Sequence, residues 1–315
     1  FFMMSGALLL SDDRTGDPRH IFHRRLPKVL IPLCVWSALI LLYYVCSGNT
    51  AAAAEAAKKL FNTPVIVPYW FLYALIPMYL LSPLLKVMTD HLSDHQWNYM
   101  MGLWMVVTLG SRTVKAFLPA AWQQVVTESS LFTVSVVGGY LGYFLLGAYL
   151  ERQEHLPSKR TLALTAVGTA AVIILITRYF TFARESYTDG FVSYLALFMM
   201  ILSVSLFLLA KSCLRGRDER GRLLPLLAGN SFCVYLIHPM ALEICRWLWH
   251  RSTGAYLLST PRQQILLFGG TFLLSLAGSM VLSSIPGLCM LFTGQAWKEA
   301  CKSSNLFALF RKRTD

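Results

Sequence analysis

The cluster of side chains best suited to chemistry is a short basic stretch made of His20, His23, Arg24, Arg25 and Lys28. If a helix begins beside this stretch, Arg25 and Lys28 lie three positions apart and share one face. Arginine binds a phosphate through two parallel hydrogen bonds, and lysine binds it as a point charge. The spacing therefore fits a phosphate clamp formed by Arg25 and Lys28 with help from Arg24. Ordinary cationic anchors beside a membrane span have the same pattern, so both interpretations stay open.

A second candidate is His238, which lies inside an apolar stretch of the chain. An ionisable group in such a stretch is costly in lipid and usually faces the interior of a helix bundle. Histidine can carry a proton or donate a hydrogen bond. The next residue, Pro239, has no backbone N–H, so the carbonyl of Tyr235 loses its helical partner. His238 is thus either a chemical group, with Tyr235 beside it, or a structural histidine bonded to that freed carbonyl or to a neighbouring helix.

The remaining residues and motifs give weaker indications of function. Trp70 stands at the boundary of an apolar run, where aromatic side chains commonly anchor a helix at the membrane surface. The seven cysteines form no CxxC pair, so we predict neither a metal site nor a redox motif. No phosphate-binding loop, nucleophile elbow, zinc-protease motif or dinucleotide fingerprint is present. Soluble enzymes built on those motifs are not indicated.

The elements that must position these residues are membrane helices. Hydrophobic residues make up 56% of the 315, charged residues only 14%, and the mean hydropathy is +0.53. Soluble domains carry about 25% charged residues. Runs of roughly 20 apolar residues suit helices that cross about 30 Å of hydrocarbon. We predict an all-α, polytopic transmembrane bundle in a single domain, 1–315, with a partial span at 1–10 and full spans at 28–46, 65–86, 97–111, 130–150, 161–180, 190–211, 225–249 and 264–286.

The basic residues support this topology. If the loop 11–28 faces the cytoplasm, strict alternation places most of the 28 lysines and arginines on that side, as the positive-inside rule requires. The tail 295–315 is then cytoplasmic and is expected to contain a surface helix. The net charge of +12 follows largely from these loops, which suit anionic lipid headgroups. A nucleic-acid partner is not predicted.

Four segments taken in order resemble a known family. They are FFMMSGALLL at 1–10, HRRLPKVLIP at 23–32, WFLYALIPMYLLSPLL at 70–85 and GNSFCVYLIHP at 229–239. Their order and spacing resemble the acyltransferase-3 family of integral membrane acyltransferases, in particular the branch that O-acetylates surface polysaccharides. That resemblance extends over nearly the whole chain.

The resemblance implies roles for individual residues. Arg25 and Lys28 fall on the family's RxxR motif, with lysine in place of the second arginine, and imply binding of the acyl donor together with Arg24. The resemblance places Ser5 and Trp70 at the substrate cavity. It places His238 and Tyr235 in the cavity lining as auxiliary groups. The family's catalytic histidine belongs to a first span that would precede residue 1, so we expect ten spans in the full-length protein and nine here.

The implied function is an integral membrane O-acyltransferase of the bacterial cytoplasmic membrane. It would move an acyl group, most simply acetyl from acetyl-CoA, to a hydroxyl of an envelope polysaccharide or lipid-linked glycan. Its partners would be acyl-CoA, the glycan acceptor and membrane lipid, with no permanently bound cofactor. The alternative is a transporter or flippase of a small polar solute or a lipid-linked sugar that transfers no acyl group.

Overall fold

The structure, a computed structural model, describes residues 1–119, 122–123, 139–186, 188–215, 223–254 and 260–305, and in these residues the regular secondary structure is entirely helical. Thirteen helices position the candidate residues. They are α1 (Phe2–Leu10), α2 (Leu26–Cys46), α3 (Thr50–Lys58), α4 (Trp70–His91), α5 (Asp94–Trp104), α6 (Ser111–Phe117), α7 (Leu141–Arg152), α8 (Lys159–Ala183), α9 (Leu197–Leu214), α10 (Leu223–Thr253), α11 (Pro261–Ser284), α12 (Pro286–Thr293) and α13 (Trp297–Ser303).

Shorter helical turns join some of these elements. Pro18–His20 and the π-helical turn Ile21–Arg25 run into α2, the 3-10 turn Val67–Tyr69 runs into α4, and the π-helical turn Met105–Gly110 joins α5 to α6. Local chemistry sets several helix starts. The side chain of Thr260 accepts from the Gln263 N–H, with Pro261 in the first turn. Such capping satisfies amide groups that have no partner inside the helix.

Six helices of the described residues are long and apolar enough to cross a membrane, which confirms the all-α, polytopic prediction. They are Pro18–Cys46, Val67–His91, Lys159–Ala183, Leu197–Leu214, Leu223–Thr253 and Pro261–Ser284. Each overlaps a predicted span. The predicted start at 190 was early, because the backbone turns until Ala196 and the Leu197 N–H then donates to the Thr113 side chain at 2.9 Å.

Four further predictions have partial outcomes. The segment 1–10 contains α1, a nine-residue helix. The segment 97–111 lies within a continuous helical run, 94–117, which is not among the six. The span 130–150 falls in part on residues 130–138, outside the described residues, and α7 follows. In the tail, α13 is helical, and 306–315 lie outside the described residues. The count of nine spans stays a prediction.

Backbone contacts divide the chain into two compact units. The first unit comprises Phe1–Pro18 and Leu81–Arg217, and the second comprises Arg19–Leu80 and Asp218–Asp315. The division falls within α4. The prediction of a single domain stays a prediction.

In the first unit, α1 and α7 pack with almost no space between their backbones. A Cβ at Gly6 would lie 1.8 Å from the Phe144 carbonyl oxygen, and a Cβ at Gly147 would lie 1.9 Å from that of Met3. Small residues allow membrane helices to approach this closely. The helix that carries Ser5 is therefore fixed by two glycines, one on each partner.

Near the end of α4, the same unit holds a charged network. The buried ammonium of Lys86 contacts Asp13 at 3.2 Å and Asp90 at 3.0 Å, and Asp90 also pairs with Arg152 at 3.1 Å. A buried cation is tolerated only when it is paired in this way. The guanidinium of Arg152 also lies over the ring of Trp97, 5.4 Å from its centre.

Candidate functional site

The basic segment, defined here as Arg24, Arg25 and Lys28, stands where the π-helical turn Ile21–Arg25 meets α2. Pro27 occupies the first turn of α2, where its missing N–H costs nothing. The side chain of Arg24 is exposed, whereas Arg25 and Lys28 are half-buried. Their three-residue spacing on continuous helical backbone puts Arg25 and Lys28 on one face, as the sequence predicted.

A carboxylate is bound to one of these two cations. Glu299, on α13, accepts a hydrogen bond from the Lys28 ammonium at 2.9 Å. That bond lowers the pKa of Glu299, and the charge of Arg25 acts in the same direction. The basic segment therefore already holds one anionic group. Sequence reasoning missed Glu299, because no local pattern links two residues 271 positions apart.

The turn between α12 and α13 packs directly on the start of α2. Gly294 ends α12 in the left-handed conformation, with φ at +69°, and a Cβ there would lie 2.0 Å from the Lys28 carbonyl oxygen. Lower on α2, the Trp36 indole N–H donates to the Phe292 carbonyl at 3.1 Å, and the two rings meet edge to face. The backbone of Lys28 and its side chain are thus both held by the end of the described chain.

A second cluster joins the start of α4 to the middle of α10. The buried Tyr69 hydroxyl donates to the Leu236 carbonyl at 2.8 Å, and the Tyr235 hydroxyl donates to the Pro68 carbonyl. The Phe71 and Tyr235 rings meet edge to face, 5.9 Å apart. Two of the sequence motifs, around Trp70 and around His238, are therefore interlocked by a reciprocal pair of tyrosines.

His238 lies in this tyrosine cluster. Its Nδ1 is 2.6 Å from the Tyr235 carbonyl oxygen, and because a carbonyl can only accept, Nδ1 carries the proton. This is the carbonyl that Pro239 leaves without a helical partner. The bond is the one expected of a structural histidine.

Comparison with known protein families shows to which family the chain belongs. The family model described as the acyltransferase domain, acyltransferase-3, matches residues 1–284. The chain belongs to the acyltransferase-3 family. It is therefore an acyltransferase and, with its long apolar helices, a multi-pass membrane protein. No curated protein and no solved structure is significantly similar to it.

The remaining predicted site residues of this acyltransferase are placed as follows. Trp70 begins α4, is half-buried and meets the Phe71 ring edge to face at 6.4 Å. Ser5 is half-buried on α1 and belongs to the first unit, whereas the basic segment, Trp70, Tyr235 and His238 belong to the second. The match ends at residue 284, so α12 and α13, including Glu299, lie beyond it.

The sequence also missed Tyr69. The sequence pattern indicated Trp70 as an aromatic residue at a span boundary. The structure shows instead that the side chain of its neighbour Tyr69 is fully buried and donates a hydrogen bond to α10. A buried tyrosine usually finds a hydrogen-bond partner. The only signal available was its position beside two motif residues.

The His238 bond leads to a stability prediction. His238→Leu is expected to lower the free energy of unfolding by about 0.5–1.5 kcal/mol, because it removes the hydrogen bond that the ring donates to the Tyr235 carbonyl. His238→Asn, whose side-chain amide can donate from nearly the same place as Nδ1, should recover most of that loss. Thermal unfolding in detergent measures both. A His238→Asn protein that is as stable as wild type but does not turn over would instead give the ring a chemical role.

Proposed function

We propose that this membrane acyltransferase moves an acetyl group from acetyl-CoA to a hydroxyl of an envelope polysaccharide or lipid-linked glycan. It would do so in the bacterial cytoplasmic membrane, with membrane lipid as surroundings and with no permanently bound cofactor. The observation that carries the proposal is the basic segment, in which Arg25 and Lys28 share one face of a helix of the matched family domain and Lys28 binds the Glu299 carboxylate at 2.9 Å. Coenzyme A presents phosphates, which suit the same two cations.

In this reaction the acceptor oxygen attacks the thioester carbonyl, the carbon–sulfur bond breaks, and the hydroxyl proton passes through a base to the sulfur of coenzyme A. A positioned base is needed because a neutral hydroxyl is a poor nucleophile. The family resemblance assigns that base to a histidine. The basic segment and the tyrosine cluster would hold the donor and shape the cavity.

Each predicted site residue has a proposed role in acyl transfer. Arg25 and Lys28, helped by Arg24, would neutralise the donor's phosphates. Tyr235 and His238 would line the cavity and fix the kinked part of α10. The reciprocal tyrosine bonds support a positioning role for them, because they tie α10 to the turn Val67–Tyr69 that runs into α4. Trp70 would pack at the outer mouth of that cavity, and a substrate-binding role for Ser5 is a separate proposal that rests on the family resemblance.

The test supplies acetyl-labelled acetyl-CoA to membrane vesicles that contain the gene product, with any residues that precede Phe1. The proposal expects release of free coenzyme A thiol and alkali-labile label on the glycan fraction. Vesicles without the gene are the control. Solute or lipid-linked sugar movement without label transfer would favour the transporter alternative, and transfer from a longer acyl-CoA alone would correct the donor.

A further inference from the structure

The C-terminal segment, defined here as residues 286–305, is anchored on both sides of Glu299. On one side, Gly294 touches the Lys28 carbonyl and Phe292 bonds to Trp36, as described above. On the other side, the buried Ser304 carbonyl accepts from the Asn230 side chain at 2.8 Å. The short helix that carries Glu299 is thus tied to α2 before it and to α10 after it.

The second anchor is a polar network within apolar helices. The Asn230 side chain also accepts from the Ser279 hydroxyl at 2.6 Å, and the Ser283 hydroxyl donates to the Ser304 carbonyl at 3.2 Å. All four residues are buried. Buried polar networks with every member satisfied fix a single arrangement, because any shift leaves a donor or an acceptor unpaired. The position of Glu299 opposite Lys28 is therefore determined by the fold.

The ion pair itself is open to solvent. The Lys28 side chain is 37% exposed and the Glu299 side chain 61%. Exposed pairs contribute little to stability and are weakened by salt. The anchors, and not the ion pair, hold α13 in place. Loss of this ion pair is therefore expected to leave the segment folded.

We propose that Glu299 is an internal competitor for the anion site of the basic segment, occupying Lys28 until the phosphates of the acyl donor displace it. The inference rests on the proposed function, because it takes the basic segment as the donor site. Glu299 would then set the donor's affinity and would favour ligands that carry several phosphate charges over singly charged anions. It lies beyond the part of the chain that the family model matches.

The experiment compares the dissociation constant of acetyl-CoA for purified wild type and Glu299→Gln in detergent, measured by calorimetry. The glutamine keeps the size and removes the charge, so binding is expected to tighten about threefold to tenfold at low salt. The gain should fall below about twofold at about 0.5 M salt, where charges are screened within a few ångströms.

The matched control is Glu55→Gln. Glu55 is 59% exposed and pairs with Lys59 at 2.6 Å in a helix of the same unit, away from the basic segment in sequence. Its replacement should leave the dissociation constant unchanged.

A double substitution tests whether Glu299 acts through Lys28. In a Lys28→Ala protein, Glu299→Gln should change the free energy of acetyl-CoA binding by less than half as much as it does in wild type, because the cation for which Glu299 competes is absent.

The outcomes separate the two proposals. Tighter binding of Glu299→Gln, dependent on Lys28, supports the competitor. Unchanged or weaker binding of Glu299→Gln, with wild type still binding through Arg25, overturns the competitor and leaves the proposed function standing. Weaker binding would make Glu299 a positioning residue for Lys28. No binding of acetyl-CoA by wild type would overturn both.

Discussion

Replacing Arg25 with alanine is expected to weaken acetyl-CoA binding about tenfold to a hundredfold. A hydrogen bond to a charged group contributes about 1.5–3 kcal/mol, and each 1.4 kcal/mol is about a factor of ten in affinity. Arg25 is the half-buried residue of the basic segment that can bind a phosphate through two parallel hydrogen bonds, which lysine at position 28 cannot do. Calorimetry on the purified protein in detergent measures the effect.

The matched control for Arg25→Ala is Arg251→Ala. Arg251 is exposed and stands near the end of α10, on the side that the charge bias assigns to the exterior. Removing its charge changes the net charge equally but should not affect donor binding. Equal affinities for wild type and Arg25→Ala would remove Arg25 from the donor site. Equal losses in both variants would mean that only the total charge matters.

Replacing Gly147 with leucine is expected to prevent accumulation of folded protein. Even the Cβ would meet the Met3 carbonyl oxygen at 1.9 Å, and that oxygen belongs to the backbone, so no side-chain rotation relieves the clash. Overpacking a close contact costs about 1–3 kcal/mol for a small excess of volume. Leucine adds three more carbons, and separating α1 from α7 would also break the reciprocal contact at Gly6. Size-exclusion profiles in detergent show the loss directly.

Gly168→Leu is the control. Gly168 lies on α8 and is exposed, and a Cβ at this position would have nothing within 4 Å, so leucine there should elute and unfold like wild type. Gly147→Ala should fall between the two, with a lower unfolding temperature than wild type. A Gly147→Leu protein as stable as Gly168→Leu would show that the two backbones do not meet in this way.

Much of the fold could be predicted because membrane helices obey local rules. An apolar run of about twenty residues must satisfy its own backbone groups, so hydropathy alone located six helices. The first and last residues of these helices were harder to predict from hydropathy. The start of α9 is set at Leu197 by a bond from its N–H to Thr113, a contact that no window of hydropathy contains.

In the candidate site too, contacts between residues close in sequence could be predicted, and contacts between distant residues could not. The bond from His238 to the Tyr235 carbonyl was one of two interpretations, because helix geometry and the absence of an N–H on Pro239 can be worked out from neighbouring residues. Outside the candidate site, the pairing of Lys86 with Asp90 is equally local, because the two residues lie four positions apart on one helix. By contrast, Asp13 reaches Lys86 only because the chain returns to it.

The all-helical membrane class, the family, and the cationic face formed by Arg25 and Lys28 could be predicted from the sequence, because they depend on composition, motif order and spacing along one helix. The groups that meet that face depend on the packing of distant segments. Glu299 opposes Lys28, and Tyr69 bonds to α10, because distant segments pack together and bring their polar groups within hydrogen-bonding distance. Such pairs are selected by the packing of apolar surfaces that look alike in sequence, and no local pattern encodes them.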